Sequence, residues 1–182
     1  MLRRRLPEIL DNTQSEIGPA GRTLLRELRE ELVTLDERVA ALDTRLRQEA
    51  EADERCQRLQ SLPGIGPLTA TALVSSIGDV SSFSNGRHLA AWLGLVPRQY
   101  TTGGKPRLLG ISKRGDRYLR TLLIHGARAA LRGAPKRDDR CSRWALALER
   151  RRGRNIAIVA LANKMARTVW ALWSRQQSYL PA

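Results

Sequence analysis

Apolar residues recur every seven places at Leu25, Leu32, Val39 and Leu46, and Leu28, Leu35 and Leu42 fill the positions three further on. Polar side chains hold almost every other place between them. Such a seam is too narrow to sit inside a globular core and too regular to be a strand. It predicts one long helix, from about Pro19 to Leu62, that buries a stripe against a second helix. The partner is either another copy of the chain or a helix from elsewhere in it, and a coiled-coil dimer is the favoured reading. The flanking charges (Glu31, Asp36, Arg38, Asp43, Arg45) are mixed in sign and set no orientation. Ahead of the seam, Pro7, Gly18, Pro19 and Gly21 interrupt any period, so residues 1–21 read as an irregular entry.

Charge divides the chain just behind that helix. Residues 1–61 hold 11 Lys or Arg against 13 Asp or Glu, whereas residues 62–182 hold 21 against 5. A nearly neutral scaffold followed by a strongly cationic remainder suggests a polyanion partner. A membrane surface is the competitor, but no apolar run approaches the ~20 residues that span a bilayer. The N-terminus, MLRRRLPEIL, does not lead into the apolar core of a secretory signal. Nucleic acid is therefore the expected partner, and a cytoplasmic, nucleoid-associated setting follows. Cys56 and Cys141 lie far apart, which suggests a reducing compartment and neither a disulfide framework nor a zinc site.

Two stretches of the basic part carry motif-like chemistry. In LQSLPGIGPLTATALVSSIG, residues 59–78, a Pro-Gly-Ile-Gly turn is followed by Pro67 and an alanine-rich run, the pattern of a helix-hairpin-helix. Glycine lets the backbone turn tightly, proline suits a first helical turn, and the unpaired N–H groups of that turn can accept a phosphate. Gly64, Ile65, Gly66 and Thr69 are the candidate contacts, and an ordinary corner between two helices is the alternative. The second stretch is LVPRQYTTGGKPRLLGISKRGDRYLR, residues 95–120, with seven cations and Asp116 as its one acid. Gly103, Gly104 and Pro106 cannot continue a helix, so Pro97 to Gly110 reads as an exposed loop and 96–115 as a basic loop. Arg98, Gly103, Gly104, Lys105, Arg107, Lys113, Arg114, Arg117 and Arg120 are its candidate DNA contacts; a solvated loop without a partner is the bland alternative.

The remaining elements are helical by period. Residues 80–95 read as a serine-capped loop and a short helix, with Phe83, Leu89, Trp92 and Leu93 in the core. Asp116 to Arg132 alternates an apolar Leu119, Leu122, Leu123, Ala127 face with an Arg117, Arg120, Arg128 face. Asp138 to Arg151 reads as a further helix, then Arg150 to Arg154 as a basic turn. Asn155 is expected to cap a last helix from Ile156 to about Gln177. Nothing looks like a sustained strand, so the fold class is all-α: a coiled-coil helix at 22–58 and a helical domain at 59–182.

Catalysis is thinly supplied. The basic part has only Asp79, Asp116, Asp138, Asp139 and Glu149, and these form no constellation for a two-metal site. His88 and His125 read as structural or surface residues. Hydroxyls beside guanidinium groups (Thr101, Thr102, Ser112) could attack a phosphodiester, yet such groups also simply bind phosphate.

The run from Leu62 to Leu131, with its GLVPRQ, GGK and GISKRGDRYLR phrases, resembles the C-terminal transposase domain of the insertion-sequence 110/116/902 family, closest to its 1111 subgroup and related to Piv/MooV invertases. The resemblance extends from about Leu25 to Trp173. It implies a recombinase that moves a circular DNA intermediate, in some members with a structured bridge RNA as guide. It also implies a helical domain joined by a coiled coil to a RuvC-like domain whose four acids bind Mg²⁺. That RuvC-like part has no counterpart here, so no cofactor is expected in this chain and a truncated reading frame is the expectation. The family's nucleophilic serine precedes the first loop glycine, which places Thr102 at that position, while Ser112 matches a supporting one. Threonine keeps the hydroxyl but adds a methyl that stiffens it. Two functions follow: the DNA-binding part of a transposase, or a non-catalytic regulator that pairs with full-length copies through the heptads.

Overall fold

The computed structural model describes residue 7, residues 17–102 and residues 105–181, with only the backbone at 102, 105 and 106. The irregular entry expected at 1–21 falls largely outside the described residues. The chain divides into two compact units, residues 1–45 and 46–182.

In the first unit the heptad run is helical, as part of α1 (Pro19–Ala52). Thr23, Thr34 and Thr44 return their hydroxyls to the carbonyls four residues back, so these β-branched residues sit in the helix without orphaned side-chain groups. Leu28, Leu32, Leu35, Val39 and Leu42 are all exposed, between 37% and 56%. The helix is present, and among the described residues its seam is uncovered.

The helix is shorter than its period predicts. Asp53 leaves helical geometry (φ −105°, ψ 112°) and its carboxylate accepts from the Arg55 N–H at 2.8 Å, which starts α2 (Glu54–Gln60). A capping aspartate competes better for that N–H than a continued helix does. The hydrogen bond from the Arg55 guanidinium holds the Asp53 carboxyl below the usual range.

The second unit is built on α7 (Arg154–Ser174), which buries Ala157, Ile158, Leu161, Ala162, Met165, Ala166, Val169 and Leu172. It packs along α4 (Gly86–Trp92), α5 (Arg117–Gly133) and α6 (Arg140–Arg152), and also meets α2. α3 (Pro67–Ile77) packs on α2 and α5. Two caps differ from expectation. Asn85, not a serine, caps α4 by accepting from the Arg87 and His88 N–H groups, because its side chain reaches both. Gly153, not Asn155, precedes α7, with φ +86° at the sharp turn out of α6. Core membership largely follows the period; Leu122 is only half-buried, and Trp92 is 38% exposed and packs edge-on against Phe83.

The molecule is mostly helical, as its composition and periods predict, with one addition. The segment read as a loop folds as an antiparallel hairpin, β1 (Pro97–Thr102) and β2 (Lys105–Ile111). Gly103 and Gly104, outside the described residues, fall between the strands, and a two-glycine connection is a strong hairpin signal. The β-branched and aromatic residues needed for pairing are few (Tyr100, Thr101, Thr102, Ile111), which is why the period did not reveal it.

Candidate nucleic-acid interface

The hairpin stands out from the helices: Arg98, Gln99, Tyr100 and Thr101 on β1 and Arg107, Leu108 and Leu109 on β2 are all exposed. The register pairs Tyr100 with Arg107 and Thr102 with Lys105, which sets these four positions on one face of the ribbon. Gln99 and Leu108, paired with each other, take the opposite face. A register shift between Pro97 and Gln99 bends the ribbon at its base.

That base is anchored by backbone. The Ser112 N–H donates to the Val96 carbonyl at 2.8 Å and the Lys113 N–H to the Gly94 carbonyl at 3.1 Å. A Cβ on Gly115 would collide with the Trp92 carbonyl, and one on Gly94 with that of Arg114. The Ser-Lys-Arg-Gly-Asp run is thus a turn pressed against the end of α4, and it obliges Lys113 to adopt a left-handed φ of +56°. Ser112 is half-buried, and its Oγ accepts from the Arg114 N–H at 3.4 Å. Asp116 ends the turn and caps α5, accepting from the Leu119 N–H at 2.7 Å.

From this turn α5 carries an exposed stripe of Arg117, Thr121, His125, Arg128 and Arg132. Arg120 does not belong to it. It is 9% exposed, and its Nη1 donates to the carbonyls of Leu93, Gly115 and Asp116. The expected Arg120 phosphate contact is therefore corrected: this guanidinium turns inward and ties α5 to the end of α4. Arg132 takes the third place in the stripe, where the period, shifted by one residue, points it outward.

The Pro-Gly-Ile-Gly turn sits nine residues further along α5, roughly 13 Å at 1.5 Å per residue. Gly64 has φ +95°, and its backbone crosses that of Gly126 so closely that a Cβ on either would strike the other's carbonyl. Ile65 and Thr69 are buried, at 5% and 8% exposure, and serve the packing of the turn. Gly66 is exposed with open space around it, and it begins α3 without a side-chain cap. What the turn offers outward is the backbone of a helix N-terminus. The Tyr179 N–H bonds to the Ser61 Oγ at 2.7 Å, so the C-terminal tail braces the same turn.

Among the described residues, Arg98, Arg107, Lys113, Arg114, Arg117, Arg128 and Arg132 form no ion pair; the pairs present engage Arg55, Arg58, Arg137, Arg143 and Arg154. The side chains of Thr102 and Lys105 lie outside the described residues, as do Gly103 and Gly104. No three His, Cys, Asp or Glu residues converge among the described residues, so these residues do not fit a multi-carboxylate Mg²⁺ site. No described helix is long and apolar enough to cross a membrane.

Beside the hairpin lies a groove of about 1490 Å³ between β2 and α7. Arg87, Lys113, Arg152, Lys164 and Arg167 line it together with Trp144, and no Asp or Glu does. Apart from Lys113, sequence reasoning missed these cations. The available signal was the outward face of the last helix, where Asn155, Val159, Asn163 and Arg167 repeat every four residues opposite the buried face.

Comparison with known proteins bears on the family. Residues 56–141 match the family model for transposases of the IS116/IS110/IS902 family. Over 164 residues the chain is 54% identical to a probable family 20 transposase of Pseudomonas aeruginosa, covering 90% of this chain and 48% of that protein. Over 174 residues it is 49% identical to the transposase for insertion sequence element IS1111A of Coxiella burnetii, covering 96% and 48%. The transposase for insertion sequence element IS1328 of Yersinia enterocolitica is 38% identical, with 87% and 48% covered. The chain belongs to the IS116/IS110/IS902 transposase family and spans about half the length of the curated relatives it matches.

Proposed function

We propose that this chain is the DNA-binding part of an insertion-sequence transposase, corresponding to the C-terminal domain of the longer proteins. The observation that carries the proposal is the set of exposed, unpaired cations on the hairpin, the 112–116 turn and the α5 stripe. Guanidinium groups on three adjoining elements, with no acid to neutralise them, suit the phosphates of duplex DNA. The helix N-terminus at Gly66 supplies a further, sequence-independent phosphate contact. A bridge RNA is a second polyanion that the same surface would accept.

Thr102 is the candidate nucleophile. It stands at the end of β1, directly before the two glycines and one register step from Tyr100 and Arg107. Its hydroxyl would attack a phosphorus atom and displace a deoxyribose oxygen, and the neighbouring guanidinium groups would stabilise the extra negative charge. Mg²⁺ chemistry is assigned to a RuvC-like domain outside this chain. Strand exchange with that half supplied in trans tests the assignment. Thr102→Ala should abolish product while Thr102→Ser keeps it; unchanged product from Thr102→Ala refutes the role.

The exposed heptad seam of α1 favours a second reading beside the first, that the chain pairs with itself or with longer copies. Light scattering should give a mass above the monomer for the native chain. Lysine at Leu32 and Leu35 should return it to the monomer mass, and an unchanged mass refutes the seam as the contact.

A further inference from the structure

The groove beside the hairpin differs in kind from the cationic surface next to it. Its rim is charged, with Arg87 from the start of α4, Arg152 from the end of α6, and Lys164 and Arg167 from α7. Its floor is largely apolar, with Leu95, Leu109, Ile111, Ile156 and Val159 beside the amides of Asn155 and Asn163. Ile156 is 50% exposed and Leu109 41%, more than a packed helix pair would leave uncovered. Trp144 is 37% exposed, and the Lys164 ammonium lies over its ring, 4.6 Å from the centre, so a base that stacks on the indole takes the place of an ammonium that is then free to meet the adjoining phosphate. The Asn163 amide bonds the Leu95 carbonyl at 3.1 Å and ties the floor to the last helix.

A duplex has no use for such a floor. Its base faces are stacked inside, and its outer surface is phosphate and sugar. An unpaired strand has both parts to offer: phosphates for the rim, and base faces for the indole and the aliphatic floor. We infer that the groove between β2 and α7 holds single-stranded DNA, with a base stacked on Trp144 and the flanking phosphates on Lys164 and Arg167. The choice of DNA over RNA comes from the transposase reading, since Asn155, Asn163 and Thr168 also line the groove and a 2′-hydroxyl would find polar neighbours there. The inference rests on the nucleic-acid reading above and adds to it a separate cleft for an unpaired strand. Strand transfer must at some stage expose such a strand, and this cleft would hold it next to the hairpin.

The test uses the whole chain and fluorescence anisotropy at low salt, with four labelled probes: an oligothymidine, a duplex of equal length, and oligouridine set against oligodeoxyuridine. Trp144→Ala should weaken oligothymidine binding about tenfold or more, leave duplex binding where it was, and leave the thermal transition unshifted. Trp144→Phe should restore most of the affinity but lose the tryptophan quench that the oligonucleotide causes in the native chain. Oligodeoxyuridine should bind at least as tightly as oligouridine. Duplex binding without single-strand binding overturns the groove assignment and leaves the duplex surface standing. So does an equal loss of both in Trp144→Ala, no loss of either, or a preference for oligouridine. Failure of the native chain to bind any of the probes would overturn both readings together.

Discussion

Glycine 64 and glycine 66 sit two residues apart in one turn and do different work. Gly64 is held at φ +95° against the Gly126 carbonyl, so a methyl there meets both a disfavoured backbone and a solid neighbour. Gly64→Ala should lower unfolding free energy by about 2–3 kcal/mol, from the left-handed cost and the overpacking together. Gly66, with φ −97° and nothing near it, should tolerate alanine with little change. Urea denaturation of the two variants checks the contrast, and equal losses would contradict it. Arg120 teaches the same point from the opposite side. Charge and period alone put it on the outer face, but one residue of phase along α5, about 100°, separates a phosphate contact from a buried clamp on three carbonyls. A single sequence does not carry that phase, because leucines and alanines at Leu122, Leu123, Ala127 and Ala129 allow two neighbouring settings of the apolar face.

Elements were legible where a strong period met a clear stop. The heptads located α1, and the apolar repeat from Ile158 to Leu172 located α7 with most of its buried face. The hairpin was not legible, since Arg98, Gln99, Lys105 and Arg107 give no alternation of apolar with polar residues. Its base is held by the anchoring of 112–116 on α4. The groove was invisible for a similar reason: it is assembled from the edges of α4, β2, α6 and α7, and no one segment announces it. Caps also depended on context, and Asp139 shows what one contributes. It is 8% exposed at the start of α6, where its carboxylate accepts from the Ser142 N–H at 2.9 Å and the Ser142 hydroxyl at 2.6 Å. Burial pushes its pKa up, but the Ser142 bonds, the Cys141 N–H and the nearby Arg137 more than offset this and hold it below the ordinary carboxylate range. A carboxyl depressed in the folded state adds stability that is present above its unfolded pKa, near 4, and is lost as pH falls through the folded value. Asp139→Ala should therefore cost about 1–2 kcal/mol near neutral pH. The gap between native and variant should narrow below about pH 4. Thermal melts across that range check it; a gap that stays constant with pH would contradict the linkage.

At the scale of the molecule, a helical framework centred on α7 holds up a cationic hairpin, a turn and an arginine stripe whose described cations form no ion pair. The account stands or falls on whether that surface neutralises phosphates. Duplex affinity measured against salt concentration reads this directly. With Arg98, Arg107, Lys113, Arg114 and Arg117 engaged, the logarithm of the binding constant should fall with the logarithm of salt at a slope of about −4 to −5. Replacing Arg98 and Arg107 by alanine should flatten that slope by about 2. A weak association that salt leaves unchanged, in the native chain as in the variant, would contradict the assignment.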